Sequence, residues 1–212
     1  MVKICQNTYP TESNNAFKHH FEKYPFELST FQKYAIESIV EGHHVLVTAH
    51  TGSGKTLPAE FAIEYFVSQG KKVIYTAPIK ALSNQKFYEF TNKYPHISFG
   101  ILTGDMKTNP EADVLIMTTE ILMNTLYNKQ NGVASALLDF DMDFENELAC
   151  VVFDEVHYIN DPDRGKVWEE CFILMPSRIT LIMLSATIDK AADFAGWIGE
   201  IKQKPTCLIP TS

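Results

Sequence analysis

A glycine-rich turn followed by lysine and threonine constrains the fold of this 212-residue chain more than any other feature. The turn reads A-H-T-G-S-G-K-T at residues 49–56, after the apolar run 45–47 and before a helical pattern at 56–68. Gly52 and Gly54 have no Cβ, so backbone N–H groups can come close to phosphate oxygens, and the positive end of the following helix points at them. Strand, turn and helix together predict the phosphate-binding loop of nucleoside triphosphatases.

The side chains of this loop have the chemistry to hold a nucleotide and its metal ion. Lys55 would place a positive charge near the β- and γ-phosphates, and the hydroxyl of Thr56 can ligate Mg²⁺. Ala49 stands where the general pattern has its first glycine, so the match is incomplete by one residue. The loop residues expected to bind nucleotide are Thr51, Gly52, Ser53, Gly54, Lys55 and Thr56.

A pair of carboxylates follows a second apolar run. Asp154 and Glu155, in the sequence D-E-V-H, come directly after the apolar residues 150–153. An open parallel sheet binds its ligand at the carboxyl ends of its strands, where these side chains would lie. We expect Asp154 to hold Mg²⁺, directly or through water, and Glu155 to orient and deprotonate the attacking water. An Asp-Glu pair alone is typical of a solvated turn, but downstream of a phosphate loop it indicates a nucleotidase site.

Short apolar runs alternate with helical patterns along the chain. This alternation predicts an α/β fold with a mostly parallel sheet and helices on both faces, and the length predicts one domain. The predicted strands are 44–48, 72–76, 98–103, 113–118, 150–154 and 180–185. The predicted helices are 30–40, 55–68, 81–94, 119–127, 166–174 and 190–198.

Composition narrows the class of protein. Hydrophobic residues make up 45% and charged residues 21%, as in globular proteins, and neither a membrane-spanning run nor an apolar signal core is present. The four cysteines lack metal-ligand spacing, which indicates reduced thiols in an intracellular protein. The net charge of −8 argues against strong nucleic-acid binding by the whole surface, but it permits a local basic path.

Acidic side chains recur at alternate positions near the middle of the chain. They are Asp139, Asp141, Asp143, Glu145 and Glu147. The stretch lacks the glycine and the full ligand spacing of a calcium-binding hand, so a solvated acidic loop is favoured over a metal loop.

Four further segments complete a pattern of six motifs. They are T-A-P-I-K-A-L-S-N-Q-K at 76–86, T-G-D at 103–105, T-T-E-I-L at 118–122 and S-A-T at 185–187. With the phosphate loop and the D-E-V-H box, the chain resembles the first RecA-like domain of a superfamily-two DExH-box helicase, from about residue 25 to 210. The runs at 78–86 and 154–170 resemble the superkiller-type, exosome-associated RNA helicases in particular.

The resemblance implies an adenine-binding segment at F-E-L-S-T-F-Q, residues 26–32. Gln32 offers a donor and an acceptor side by side, which suits the N6/N7 edge of adenine, and Phe26 could stack on the base. Phe31 is explained as well by simple core packing.

The resemblance also implies a nucleic-acid path along strand ends and helix starts, where backbone N–H groups and hydroxyls hold phosphates without reading bases. The path residues would be Pro78, Lys80, Ala81, Asn84, Gly104, Thr118, Thr119 and Glu120. For Lys80, a solvated surface lysine is the simpler alternative. The residues implied to couple this path to the nucleotide site are His157, Ser185 and Thr187. For Ser185 and Thr187, a strand end of small residues is the alternative.

The function implied is ATP-dependent RNA unwinding or translocation in RNA processing or decay, with ATP and Mg²⁺ as cofactors. The implied partners are RNA, a second RecA-like domain of the parent protein and RNA-decay machinery, away from any membrane, in cytoplasm or nucleus. We expect a partly disordered lead-in at 1–24, the ATP-binding domain at 25–204 and the start of a linker at 205–212. Because the second domain of this family carries the arginines that neutralise transition-state charge, we expect little turnover from this chain alone.

Three alternatives stay open. The first is a DNA helicase of the same superfamily, which comparing ATPase stimulation by RNA and DNA would distinguish. The second is a nucleotide-binding adaptor without turnover, against which the intact Lys55, Thr56, Asp154 and Glu155 argue. The third is a small-molecule kinase, in which the S-A-T and P-I-K-A-L segments would have no purpose.

Overall fold

The computed structural model of the chain describes residues 1–132 and 142–211, and this part forms one mixed sheet flanked by helices. The strands are β1 Val2–Ile4, β2 His44–Thr48, β3 Lys72–Ala77, β4 Phe99–Leu102, β5 Lys107–Thr108, β6 Val114–Thr118, β7 Leu148–Phe153, β8 Thr180–Ser185 and β9 Thr206–Pro210. Their order across the sheet is β1-β9-β2-β8-β7-β3-β6-β4-β5. All neighbouring pairs are parallel except β4 and β5.

The helices cover both faces of this sheet. They are α1 Thr11–Ala16, α2 Lys18–Phe21, α3 Thr30–Val40, α4 Leu57–Val67, α5 Lys80–Lys93, α6 Thr119–Gln130, α7 Gly165–Leu174 and α8 Ala191–Lys202, with a short 3-10 helix at Val156–Asn160. Successive strand side chains point to opposite faces, so Val45 and Val47 join one apolar core while Leu46 joins the other. The predicted α/β fold, with a mostly parallel sheet between helices, is confirmed.

All six predicted strands and all six predicted helices are present, with ends displaced by up to four residues. The largest displacement is at α8, where we predicted an end at residue 198, before Gly199. Gly199 instead lies inside the helix, where an added Cβ would come 3.3 Å from the backbone nitrogen of Met1. Gly199 is therefore a close-packing position inside the helix.

The two chain ends are more ordered than we expected. Residues 1–24 contain β1, α1 and α2, and β1 pairs with β9 so that Val2 lies opposite Thr206. The hydroxyl of Tyr34 donates a 2.8 Å hydrogen bond to the carbonyl of Thr8, which ties this segment to α3. Most of the expected linker at 205–212 forms β9, which lies between β1 and β2. The strands β1 and β9 are both short, and they come from opposite ends of the chain, so no local sequence pattern predicts that they pair.

Part of the acidic stretch forms a turn that its own side chains hold together. Asp143 accepts hydrogen bonds from the backbone N–H of Glu145 and Asn146 at 2.9 and 3.1 Å, while Glu147 accepts one from Asp143 at 3.0 Å. Asp139 and Asp141 lie outside the described residues. Within 1–132 and 142–211, no group of His, Cys, Asp and Glu side chains is placed to hold a metal ion, and no helix there is long and apolar enough to cross a membrane.

Candidate nucleotide-binding site and the neighbouring groove

Three adjacent strands bring the phosphate loop, the S-A-T segment and the D-E-V-H box to one edge of the sheet. The loop follows β2, S-A-T begins at the end of β8, and D-E-V-H follows β7, with β8 between the other two strands. Thr48 and Ser185 are in register, and the N–H of Ala49 donates to the carbonyl of Ser185 at 3.0 Å. The site therefore lies at the carboxyl ends of parallel strands, as the sequence predicts.

The phosphate loop has the backbone that its glycines predict. Gly52 and Gly54 both have φ of 84°, a left-handed conformation that side chains disfavour. Gly54 has a second constraint, because an added Cβ would lie 2.7 Å from Nε2 of Gln32. Ala49, where the general pattern has glycine, instead continues the β2–β8 ladder with a buried side chain. The departure from the pattern therefore leaves the loop conformation intact.

Lys55 and Glu155 meet across the site. Lys55 is buried, and its Nζ lies 3.7 Å from Oε2 of Glu155. Glu155 has φ 54° and ψ 43°, an uncommon left-handed conformation for a residue with a side chain. This turns the chain out of β7 into the 3-10 helix and directs the Glu155 side chain toward Lys55. A bound nucleotide would meet a lysine whose charge is already opposed by one carboxylate.

Asp154 is held rigidly by partners on both of its oxygens. The hydroxyl of Tyr75 donates to Oδ2 at 2.5 Å, and the backbone N–H of Glu155 donates to Oδ1 at 2.9 Å. Burial first, and the charge of Asp154 second, raise the pKa of Tyr75 well above its ordinary value, so Tyr75 keeps the proton that it donates. Sequence reasoning missed Tyr75, whose only signal is a hydroxyl in the middle of the largely buried strand β3.

The S-A-T segment contacts the D-E-V-H box through His157. The N–H of Ala186 donates to Nδ1 of His157 at 3.1 Å, so Nδ1 is the acceptor nitrogen and a neutral ring carries its proton on Nε2. The same Nδ1 lies 3.3 Å from Oε2 of Glu155. Ser185 is buried, and its hydroxyl has no hydrogen-bond partner in the described part of the chain, whereas Thr187 is exposed. His157 and the end of β8 are thus in direct contact, while Thr187 faces outward.

The segment predicted to read adenine is divided between a buried and an exposed residue. Gln32 is buried, where its Oε1 accepts from the N–H of Ser29 at 3.0 Å and its Nε2 donates to the carbonyl of Gly54 at 3.3 Å. These bonds join the start of α3 to the phosphate loop and leave one amide hydrogen and one acceptor position free. Phe26 is 53% exposed and lines a cavity of about 340 Å³ beside α4.

Most of the predicted nucleic-acid path forms one groove of about 420 Å³ next to this site. Its lining includes five predicted residues, Pro78, Lys80, Gly104, Thr118 and Glu120, together with Ile79, Ile121, Asn124 and Arg164. Lys80 forms an ion pair with Asp105, which the hydroxyl of Thr103 also contacts at 3.0 Å. We define these nine lining residues as the strand-end groove.

Three predicted path residues lie outside the lining of the strand-end groove. Ala81 is exposed and Asn84 half-buried on α5, one and four residues beyond the lining residue Lys80. Thr119 is 1% exposed, and its hydroxyl donates to the carbonyl of Ala77 at 3.3 Å. Its side chain joins β3 to α6 and does not face the groove. Arg164, which lies in the family-like run at residues 154–170 but outside the six motifs, is part of the lining.

Comparison with known proteins agrees with this geometry. A sequence profile described as DEAD/DEAH box helicase matches residues 29–194. The chain is 48% identical over 188 residues to "Antiviral helicase SKI2" of Saccharomyces cerevisiae, with 89% of this chain and 14% of that protein covered. It is 46% identical to "Superkiller complex protein 2" of Homo sapiens, with the same coverages, and 43% identical to "Exosome RNA helicase MTR4" of Mus musculus, covering 90% of this chain and 17% of that protein.

A solved structure shares the fold at lower identity. The crystal structure of DUF1998 helicase MrfA bound to DNA superposes with a TM-score of 0.69 and 19% identity, covering all of this chain and 31% of that one. The similarity predicted from six motifs, to superkiller-type helicases, is confirmed. The chain spans between a seventh and a sixth of the length of the three curated relatives above.

Proposed function

The chain belongs to the DEAD/DEAH box helicase family, and we propose that it is the ATP- and Mg²⁺-binding RecA-like domain of a superkiller-type RNA helicase. For the whole protein we propose ATP-dependent RNA translocation or unwinding, with RNA, a second RecA-like domain and RNA-decay machinery as partners, in cytoplasm or nucleus. The three curated relatives named above carry "helicase" or "superkiller" in their names, and one of them is named as an exosome RNA helicase. This favours RNA over DNA, which is the alternative.

The observation that carries the nucleotide part of this proposal is the meeting of Lys55 and Glu155 at 3.7 Å, beside the fixed carboxylate of Asp154. Lys55 and the loop N–H groups would bind the phosphates. Glu155 would orient the attacking water and accept its proton, because it is the carboxylate that faces the lysine and remains partly solvated. His157, Ser185 and Thr187 would carry changes at the nucleotide site toward the strand-end groove.

The residues at the site fit Mg²⁺. Thr56 precedes α4, and its hydroxyl makes no hydrogen bond within the part of the chain that the structure describes, so its lone pairs are free. A hydroxyl and a carboxylate are oxygen ligands of the kind that Mg²⁺ prefers, and phosphate oxygens and waters would supply its other ligands. Thr56 and Asp154 would hold the ion. When bound, it would neutralise charge on the phosphates.

The chain itself should bind MgATP and hydrolyse it slowly, with or without RNA. Of its two arginines, Arg164 lines the strand-end groove and Arg178 donates to the carbonyl of Phe144, so neither serves the nucleotide site. Arginine contributes about three to five orders of magnitude to related phosphoryl transfers. Calorimetry with ATP, with and without Mg²⁺, and a phosphate-release assay would test this. No binding of MgATP would refute the proposal, and brisk RNA-stimulated turnover would refute the role given to the arginines of a second RecA-like domain.

A further inference from the structure

We infer that Arg164 binds a backbone phosphate of single-stranded nucleic acid in the strand-end groove. The inference rests on the proposed function and adds to it a residue that the six motifs leave without a role. It is carried by three independent features of the structure. These are the free guanidinium of Arg164, the turn that fixes its backbone, and the helix starts that share its groove.

Arg164 is exposed, and its guanidinium has no ion-pair or hydrogen-bond partner in residues 1–132 and 142–211. The other arginine, Arg178, donates to the carbonyl of Phe144 and has a structural explanation. Lys80, the second cation of the described groove lining, is paired with Asp105. Glu120 lines the same groove without pairing with Arg164. Arg164 is therefore the free positive charge among the described lining residues.

The turn before α7 fixes the backbone at Arg164. Oδ1 of Asp161 accepts hydrogen bonds from the N–H of Asp163 at 2.9 Å and of Arg164 at 3.2 Å, and its carbonyl accepts one from Gly165 at 2.8 Å. An added Cβ at Gly165 would lie 2.1 Å from the carbonyl oxygen of Ile159, so only glycine fits there. Immobilising the backbone beforehand lowers the entropy that an arginine loses on binding a ligand.

Three helices begin at the groove. The residues that precede α5, α6 and α7 are Ile79, Thr118 and Arg164, all three line the groove, and none of the three makes a side-chain capping bond. The first N–H groups of α5 and α6 therefore lack capping partners and favour a negative ligand. A guanidinium beside such N–H groups suits phosphate oxygens, which it can bind with two parallel hydrogen bonds.

The test compares four proteins in binding to fluorescein-labelled oligouridylate by anisotropy over a range of KCl concentrations. They are the unmodified chain, Arg164→Ala, Arg164→Lys and the control Lys166→Ala. Lys166 is the matched control because it is an exposed cation two residues further along, pairs with Glu170 at 3.7 Å and does not line the groove. Removing a charge-assisted contact should weaken binding about 5- to 20-fold in Arg164→Ala and less than about twofold in the control.

The salt dependence and the conservative variant identify the contact as one to phosphate. Arg164→Ala should lower the slope of log affinity against log salt by about 0.7, the value for one phosphate of a single strand. Arg164→Lys should keep the slope and bind less tightly, because lysine keeps the charge and loses the two-bond geometry. Oligothymidylate should show the same losses, whereas a loss confined to RNA would mean that Arg164 contacts the sugar, and would overturn the inference.

The outcomes separate this inference from the proposed function. If Arg164→Ala binds like Lys166→Ala, the inference is wrong and the proposed function stands. If the unmodified chain binds no oligonucleotide at low salt, the inference and the RNA part of the proposed function are wrong, while MgATP binding tests the nucleotide part separately. Unchanged MgATP affinity and circular dichroism in Arg164→Ala exclude a folding defect. Should that variant fail to fold, Arg164→Lys decides alone, and unmodified affinity in this variant would contradict the inference.

Discussion

The nucleotide site and the strand-end groove lie at the same edge of the sheet but are built in opposite ways. In the nucleotide site, Lys55 and Asp154 are buried, and each already has a fixed partner, Glu155 and Tyr75 respectively. In the groove, Arg164 is exposed without a partner and Lys80 is held only by a surface ion pair. With the roles proposed here, a site for one small ligand would be shaped in advance, whereas a surface for a polymer of any sequence would offer solvated charges and helix starts.

Substitution of Glu155 should have the greatest effect on the proposed nucleotide site. Glu155→Gln removes the general base and should slow ATP hydrolysis about 100- to 10,000-fold, because a positioned base contributes that much. MgATP affinity should stay close to that of the unmodified chain, since Lys55 and the loop remain. The hydrolysis rates of the two proteins are compared under single-turnover conditions, with protein in excess of radiolabelled ATP. Equal rates for the two proteins would show that Glu155 is only the partner of Lys55.

Substitution of Lys55 should have the next largest effect, on the affinity for MgATP. Lys55→Ala should weaken MgATP binding by about 2–4 kcal/mol, because a buried charge contact to the phosphates is lost. Its stability should fall by about 1 kcal/mol or less, since the partner Glu155 is partly exposed and stays solvated. Calorimetry and thermal circular dichroism measure the two quantities. Lys18→Ala, which removes an exposed lysine paired with Glu22, is the matched control and should change neither.

A smaller effect sharpens the role of the adenine segment. Gln32→Ala should reduce the preference for ATP over GTP by about 1–3 kcal/mol, because guanine presents two acceptors where adenine presents a donor and an acceptor. Phe26→Ala should weaken both nucleotides through lost stacking, and the exposed Tyr88→Ala on α5 is its control. The dissociation constants of each variant for ATP, ADP, GTP and GDP, measured at one Mg²⁺ concentration, test both expectations.

The bonds of Gln32 to Ser29 and Gly54 make the opposite outcome equally informative. If Gln32→Ala weakens ATP and GTP by the same factor, the residue acts by joining α3 to the phosphate loop and does not read the base. If the unmodified chain binds both nucleotides equally well, the whole segment at residues 26–32 is structural.

The nucleotide site could be predicted because its residues are consecutive in sequence. The phosphate loop occupies residues 49–56 and the D-E-V-H box residues 154–157, and each follows an apolar strand whose end fixes its place. Tyr75 could not be predicted, because its hydroxyl meets Asp154 across 79 residues of chain and a tyrosine in an apolar strand otherwise indicates core. The strands β1 and β9 were missed for the same reason, since their pairing joins the two ends of the chain.

The groove was predictable only in part, for a geometric reason. The family resemblance supplied Pro78 and Lys80, which follow β3, and Thr118, the last residue of the neighbouring strand β6. Arg164 comes from a separate segment after β7, and it reaches the groove only because α7 packs beside α6. No spacing in the sequence contains that information. Thr119 is the opposite case. The family resemblance assigns it to the nucleic-acid path, but its side chain points into the core and donates to the carbonyl of Ala77.

If one edge of the sheet carries two separable sites, as proposed, two variants should each lose one ligand and keep the other. Lys55→Ala and Arg164→Ala are each titrated with MgATP and, in the absence of nucleotide, with labelled oligouridylate. We predict that Lys55→Ala loses MgATP and keeps the oligonucleotide, while Arg164→Ala keeps MgATP and loses the oligonucleotide by about 5- to 20-fold. Parallel loss of both ligands in either folded variant would contradict the account.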